Sequence, residues 1–323
     1  MHTKSVSRSV LAAGLALAVV SSLQAEDLRW KFKQGETLDY VLQRGVEGKL
    51  TLSGAEIEFT MNMIFDTTWK PASVAADGTA DVGVTIDRIQ INMASPLFGN
   101  MAYDSNSTEE PQGPVWAQMK LAMTGMLGGT FQLTISPLGA VSDIELPKKL
   151  ADALAEQEIG GNRRQGFGIG GGGFDEKGIK EMLVKSVLPL PETAGKDVTW
   201  TQSFENKIPR IGTQVAETTF SLAGTEKQDG QLLAKIQAVT ELFFEPEENP
   251  RADLEIMEQE ATATFYFDPR AGHMVKADGM QKAQMEISGD QELTQSITES
   301  MSMRLGKSPD KPAAEKTDAP QEK

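Results

Sequence analysis

A single histidine is the first place to look for acid–base chemistry in this chain. The 323 residues contain two histidines and no cysteine. His2 lies in an N-terminal segment with the features of a cleaved leader, so only His273 remains for chemistry. One imidazole cannot build a multi-histidine metal site. His273 follows Gly272 and has no nucleophile motif beside it, so we interpret it as a turn residue and expect no catalytic residue, no metal and no cofactor.

Carboxylates and serines offer the next candidates for catalysis. Glu245, Glu247 and Glu248 form an acidic cluster near two prolines, and paired carboxylates can serve as general acid and base. Their spacing matches no calcium-binding loop and is typical of a solvated connection between strands. Ser105 follows a tyrosine and an aspartate, but no suitably spaced base supports a nucleophilic role. A hydrolase is therefore the third alternative.

Glycines dominate residues 160–173, which read GGNRRQGFGIGGGG. A dinucleotide-binding glycine motif follows a strand and opens a helix. Here a predicted helix precedes the glycines, and no Lys-Ser or Lys-Thr pair follows them. The segment is better interpreted as a mobile flap or linker, in which Arg163 and Arg164 could contact a partner.

Methionines recur at positions that alternation assigns to the inner face of a sheet. Methionine is flexible and polarisable, so a concavity lined with it can accept varied apolar guests. We predict a concave binding surface for an apolar small molecule or lipid, and ordinary core packing remains the alternative. The candidate ligand-binding residues are Met61, Met63, Phe65, Met93, Met285 and Met301.

Period-two alternation supplies the elements that position these residues. Apolar residues alternate with polar ones from Ile57 to Phe65, which is typical of an antiparallel sheet with one wet face. Leu28, Trp30 and Phe32 alternate in the same way and predict a strand. Two Asp-Gly pairs, at 77–78 and 229–230, predict hairpin turns. A change of phase near residues 87–88 predicts a β-bulge.

The predicted fold is mainly β: a long-stranded, curved antiparallel sheet or open barrel, with two or three helices on its concave face. Helical spacing predicts helices over 115–127, 147–158 and 175–188. We divide the chain into a signal peptide (1–25), a first β half (26–145), a helical and glycine-rich connection (146–196), a second β half (197–305) and a disordered tail (306–323).

The two β halves show a similar order of features. Each has an Asp-Gly hairpin, a long strand, and then an aromatic strand that ends in a Pro/Gly turn, from residue 77 to 141 and from residue 229 to 275. The helix at 115–127 accounts for the greater length of the first stretch. Internal duplication is one interpretation. The other is that any meander of hairpins looks self-similar, because turns use the same few residues.

Three segments support a resemblance to a known group. The opening at residues 28–36, the Tyr103-Asp104-Ser105 triplet and the strand and turn at 131–141 resemble an uncharacterised family of exported bacterial proteins. That resemblance implies no established activity and assigns no functional residue. In outline, the predicted half-barrel is similar to bacterial lipoprotein-carrier domains, which is a similarity of architecture alone.

The N-terminus and the charge define the expected location and partners. Lys4 and Arg8 precede an apolar run at 10–20 and small residues up to Ala25, as in a secretory signal. Cleavage would change the net charge from −15 to −17, because the signal carries two basic residues and no acid. We therefore expect an exported protein, periplasmic or extracellular, with no transmembrane segment after cleavage and no nucleic-acid partner.

Taken together, the sequence predicts an exported, non-enzymatic protein that binds an apolar or lipid-like ligand. The alternative is a structural or protein-interaction component of the cell envelope.

Overall fold

Twelve antiparallel strands form one continuous sheet in the computed structural model of the chain. The structure describes residues 28–308, except 53, 97–98, 110, 112, 160–175, 194, 196–197, 209, 249 and 290–291. The predicted signal peptide, the glycine-rich segment and the predicted tail beyond residue 308 lie outside the described residues.

Three helices accompany the strands in the described residues, and all three were expected from helical spacing. The fold is mainly β, as predicted, with long strands and few helices. The elements are β1 (Leu38–Leu52), β2 (Ala55–Val74), β3 (Ala80–Ser95), β4 (Gly99–Asp104), α1 (Pro114–Met126), β5 (Thr130–Ile135), β6 (Val141–Glu145), α2 (Lys148–Ile159), α3 (Glu176–Ser186), β7 (Thr199–Ile208), β8 (Gly212–Gln228), β9 (Gln231–Pro246), β10 (Asp253–Asp268), β11 (His273–Ser288) and β12 (Leu293–Leu305).

The strand order is that of an open sheet with one edge strand at each end. It runs β6-β5-β3-β2-β1-β12-β11-β10-β9-β8-β7, with β4 pairing beside β5 on β3. β1 and β12 pair along the middle of the sheet, from Tyr40 opposite Leu305 to Leu52 opposite Leu293. The edge strands β6 and β7 do not pair with each other, and α2 and α3 come between them in the chain.

The inner face of the sheet, defined here as the face that packs against the helices, carries the main core. Side chains of strands β1 to β5 and β8 to β12 share one buried cluster with helical side chains, because alternation sends every second residue of a strand to the same face. The helical contributors are Trp116, Met119, Met123, Met126, Leu150, Leu154, Ile179 and Leu183. The predicted bulge is confirmed: Asp66 pairs with Arg88 and Thr67 with Ile86, so Asp87 is the extra residue.

The segment at 28–33, called the strap below, corrects one prediction. Its alternation is real, since Leu28, Trp30 and Phe32 are all buried, but it is not a strand of the sheet. The Trp30 N–H donates to the carbonyl of Pro137 (2.9 Å), and the Lys31 N–H donates to that of Gly272 (2.9 Å). The strap's backbone is thus satisfied by two turns rather than by a neighbouring strand.

Those two turns are the equivalent turns of the two β halves. Pro137 lies between β5 and β6, and Gly272 lies between β10 and β11. The Asp-Gly pairs likewise join β2 to β3 and β8 to β9, and the next strands of the two repeats, β5 and β10, pair with β3 and β9 respectively. The two predicted halves therefore occupy equivalent places in the strand order, and β4 with α1 forms the extra length of the first.

His273 begins β11 beside the strap and gives a pH prediction. Desolvation of the half-buried ring lowers the pKa of His273. The negative charges of Asp268 and Glu36 raise this pKa, but by a smaller amount. A histidine whose folded-state pKa lies below its unfolded value of about 6.5 destabilises the fold as pH falls, because the unfolded chain binds the proton first.

We therefore expect His273→Gln to reduce the loss of stability between about pH 7 and pH 5. Melting temperatures of the wild type and the variant, measured across that range, check this. Two parallel curves would show that His273 contributes nothing to the pH dependence.

In the part of the chain that the structure describes, no helix has the length and apolar character needed to cross a bilayer.

Candidate ligand-binding site

The predicted methionine surface divides into a filled part and a half-exposed part. Met63, Phe65 and Met93 are buried in the main core, and Met61 packs against it. Met301 is half-buried on β12. Met285 is buried on β11 outside the main core. The structure therefore brings Met61, Met63, Phe65 and Met93 together, places Met301 two strands away from Met63, and sets Met285 apart.

Strand register arranges the inner-face residues of β2, β1 and β12 in rows. One row is Met63, Arg44 and Met301, and the next is Met61, Val46 and Glu299. The third is Phe59, Gly48 and Ile297. The Phe59 ring lies over Gly48, where an added Cβ would collide with it. Phe59, Met61, Ile297 and Met301, called the apolar strip below, are all half-buried.

An ion pair lies within this strip, on the inner face. The Arg44 Nε donates to Glu299 Oε1 (2.6 Å), and Nη2 donates to Oε2 (3.0 Å). The two side chains are 31% and 24% exposed, so water reaches them. A bidentate pair of this kind is geometrically specific. Its position is unusual, because the inner positions of neighbouring rows hold apolar side chains.

Helix α3 presents charges to the same region. Lys177, Glu181 and Lys185 are spaced four apart and share one side of the helix. Lys185 interacts electrostatically with Glu299 and Arg44, and desolvation lowers its pKa although its side chain is 49% exposed. Its ammonium also lies 4.9 Å from the centroid of the Phe204 ring on β7. Lys185 therefore lies near both the ion pair and β7.

This arrangement combines apolar and charged side chains on one face of the sheet. Half-buried apolar side chains can hold a hydrocarbon chain, and the mixed charges of Arg44, Glu299 and Lys185 can hold a polar head. Among the described residues, no three histidine, aspartate or glutamate side chains are placed to hold a metal ion. His273 is the first residue of β11, next to the strap, and is not among the residues of this region.

The other residues considered for chemistry have structural contacts instead. The Ser105 Oγ accepts the Ile89 N–H (3.0 Å). The Arg88 guanidinium beside Asp104 lowers the pKa of that carboxyl to about 2. In the acidic cluster, the Glu247 N–H donates to the Ile211 carbonyl (3.0 Å), and its carboxylate lies 3.6 Å from Lys207.

The sequence carries a signal for the ion pair. Arg44 continues the phase of Leu38, Tyr40 and Leu42, and Glu299 shares the phase of Met301. A charged residue at a position where alternation predicts an apolar inner-face side chain is unusual and indicates a candidate site. Two shallow depressions, of about 390 and 430 Å³, adjoin Thr60, Ala94 and Asn100; Met93 and Met101 line the first, and Phe59 lines the second.

Solved structures similar to this chain are distant from it. A chain from a study of lipid–protein interactions in lipovitellin is 12% identical with a TM-score of 0.44; the alignment covers 90% of this chain and 27% of that one. An outer membrane channel from Pseudomonas putida F1 is 9% identical with a TM-score of 0.23, covering 85% and 97%. An outer membrane lipoprotein-sorting protein domain from Vibrio parahaemolyticus is 10% identical with a TM-score of 0.14, covering 87% and 88%.

The present chain thus spans about a quarter of the lipovitellin chain that it matches. TM-scores this low assign neither a function nor a ligand. No curated protein sequence matches the chain. A family model does match, over residues 77–300, which is more than half of the chain and includes the described strands from β3 to β11. The protein therefore belongs to a family of unknown function, DUF6263.

Proposed function

We propose that this protein is an exported, non-enzymatic carrier of an amphiphilic, lipid-like molecule, held on the inner face of the sheet beside α3. The observation that carries the proposal is the Arg44–Glu299 ion pair set within the half-buried apolar strip. A purely structural sheet would fill these positions with apolar side chains, because an ion pair in an apolar surrounding must overcome the cost of desolvation.

The ligand's chemistry follows from the two kinds of side chain. The apolar strip offers Phe59, Met61, Ile297 and Met301 to an acyl chain, and methionine adapts its shape to guests of different branching. The charged groups are of both signs, with Arg44, Lys177 and Lys185 against Glu299 and Glu181. A head group that carries both a positive and a negative charge would be complementary to this set.

The first experiment is native mass spectrometry of the mature chain, purified from its own secretory compartment and then extracted with organic solvent. We expect a reproducible bound species in the lipid mass range. A clean apo mass, together with no thermal shift on adding lipids, would overturn the carrier proposal. The same preparation tests export, because cleavage after Ala25 would give a mature chain that begins at Glu26.

A matched pair of variants tests the site itself. Met301→Asp places a charge in the apolar strip, and we expect it to reduce lipid occupancy about tenfold, since a buried carboxylate is costly beside an acyl chain. Met280→Asp is the control: Met280 is 43% exposed and lies one residue beyond Gly279, the partner of Met301. Occupancy is read by native mass spectrometry, and equal occupancy in the two variants would exclude the strip as the site.

A further inference from the structure

Strands β9 and β10 separate partway along their length. They pair over six positions, from Phe267 opposite Ala234 to Thr262 opposite Val239. Beyond that point, residues 240–246 of β9 pair only with β8, and residues 253–261 of β10 pair only with β11. These two arms, called the fork below, each have one free backbone edge. Exposed strand edges are templates for pairing with another chain.

One side chain already imitates a pairing strand inside the fork. If the register continued, Leu242 would lie opposite Gln259. Instead, the Gln259 side-chain amide reaches across: its Oε1 accepts the Leu242 N–H (2.6 Å), and its Nε2 donates to the Leu242 carbonyl (3.0 Å). A primary amide thus makes the two hydrogen bonds that a peptide group of an added strand would make.

Exposed apolar side chains surround the fork. Among the described residues, seven large apolar side chains are exposed, and four of them are here: Val239 (51%), Phe243 (47%), Met257 (49%) and Met280 (43%). Val239 and Met280 flank Thr262 at the point where the strands part. Phe243 and Met257 lie on the two arms. Such a cluster is typical of a surface that another molecule covers.

The charge of the fork has one sign. The arms carry six carboxylates and no lysine or arginine: Glu241, Glu245, Asp253, Glu255, Glu258 and Glu260. Continued register would set Glu241 directly opposite Glu260, and like charges in that position destabilise a strand pair. The bulge that leaves Met257 unpaired adds to the separation. A basic strand placed between the arms would relieve the repulsion.

We propose that the fork binds an extended, basic and apolar segment of a partner protein, which adds as a strand between β9 and β10. Backbone hydrogen bonds to the free edges supply affinity, and alternating lysine and apolar side chains supply specificity. A second copy of this chain is a poor occupant, because two acidic forks repel each other. The inference is independent of the ligand site, which lies on the inner face of β1, β2 and β12.

The test uses the mature chain and a fluorescent nine-residue peptide in which lysine alternates with valine. A control peptide has glutamate in place of lysine. Binding is followed by fluorescence anisotropy at low and high salt. Phe243→Lys and Met257→Lys alter the fork, and Leu232→Lys is the matched control, because Leu232 is 44% exposed but lies at the opposite end of β9. Gln259→Ala removes the internal competitor for Leu242.

We expect the basic peptide to bind, the acidic one not to bind, and each fork variant to weaken binding about tenfold, as for residues at the centre of an interface. Leu232→Lys should match the wild type, and Gln259→Ala should tighten binding. When the basic peptide is added to the unmodified chain, hydrogen exchange should slow at the amides of Thr240 and Phe244. These two N–H groups point into the fork like that of Leu242, because they lie two residues from it along the strand.

Three results would overturn the proposal. The first is no saturable binding of the basic peptide together with unchanged exchange at Thr240 and Phe244. The second is binding that the fork variants and Leu232→Lys affect equally, which would indicate general charge attraction. The third is a concentration-dependent dimer that Phe243→Lys abolishes, since a second copy would then be the occupant. Because the exchange measurement needs no variant, a variant that fails to fold does not remove the test.

Discussion

Trp30→Ala is expected to lower the free energy of unfolding by about 3–5 kcal/mol, the usual cost of truncating a buried tryptophan. Trp30 is 2% exposed. It stacks on Phe32 and Trp69 and meets the edge of Phe267, with ring centroids 5.3, 6.4 and 5.6 Å away. Alanine would leave a cavity among aromatic rings that belong to both halves of the sheet, which cannot collapse around it.

The measurement is urea denaturation of the mature chain, with the midpoint and the slope fitted separately. Trp30→Phe separates the hydrogen bond from the packing, because the indole Nε1 donates to the buried carbonyl of Leu188 (2.9 Å). Losing that donor should cost about 1–3 kcal/mol. Lys33→Ala is the control within the strap, where the side chain is exposed. A wild-type midpoint for Trp30→Ala would mean that the strap does not hold the fold together.

The glycines that receive the strap give the second large effect. Gly139 and Gly272 both adopt positive φ, at 78° and 75°, a region that costs other residues about 1–2 kcal/mol. An alanine Cβ would also collide with the Leu188 carbonyl oxygen at Gly139 and with the Lys31 side chain at Gly272. We expect Gly139→Ala and Gly272→Ala each to lower the free energy of unfolding by about 3 kcal/mol.

Gly230→Ala is the matched control for both variants. Gly230 also has a positive φ, at 85°, but open space surrounds the position of its missing Cβ. Gly230→Ala should lower the free energy of unfolding only through the backbone conformation, by about 1 kcal/mol. Urea denaturation of the three variants checks the difference. If all three lose the same amount of stability, the close approach of Leu188 and of the strap contributes nothing and only backbone conformation matters.

These effects connect the strap to the proposed site. The strap joins the β5–β6 turn to the β10–β11 turn, so it fixes the distance between the two halves of the sheet at these turns. The Leu190 N–H donates to the Leu138 carbonyl (2.8 Å), which ties the segment after α3 to the same place. α3 carries Lys185 to the ion pair, so the geometry of the site depends on contacts that the strap makes.

Local patterns in the sequence determined the strands, the helices and the bulge. Alternation from Ile57 to Phe65 shows which face of β2 is buried, whichever strand β2 pairs with. Successive side chains of any extended strand point to opposite faces, so this pattern does not depend on the partner. The phase change at residues 87–88 reports the bulge in the same way. For the same reason, burial of Leu28, Trp30 and Phe32 was predictable while their place in the fold was not.

Long-range pairing decided the rest, and no local pattern reports it. Arg44 and Glu299 are 255 positions apart, and they meet only because β1 and β12 pair at the centre of the sheet. The methionines illustrate the same limit: alternation assigned Met63 and Met301 to inner faces, but only the packing of the helices decided that Met63 is buried and Met301 is half-exposed. The fork depends on where β9 and β10 stop pairing, a property of two strands together and of neither alone.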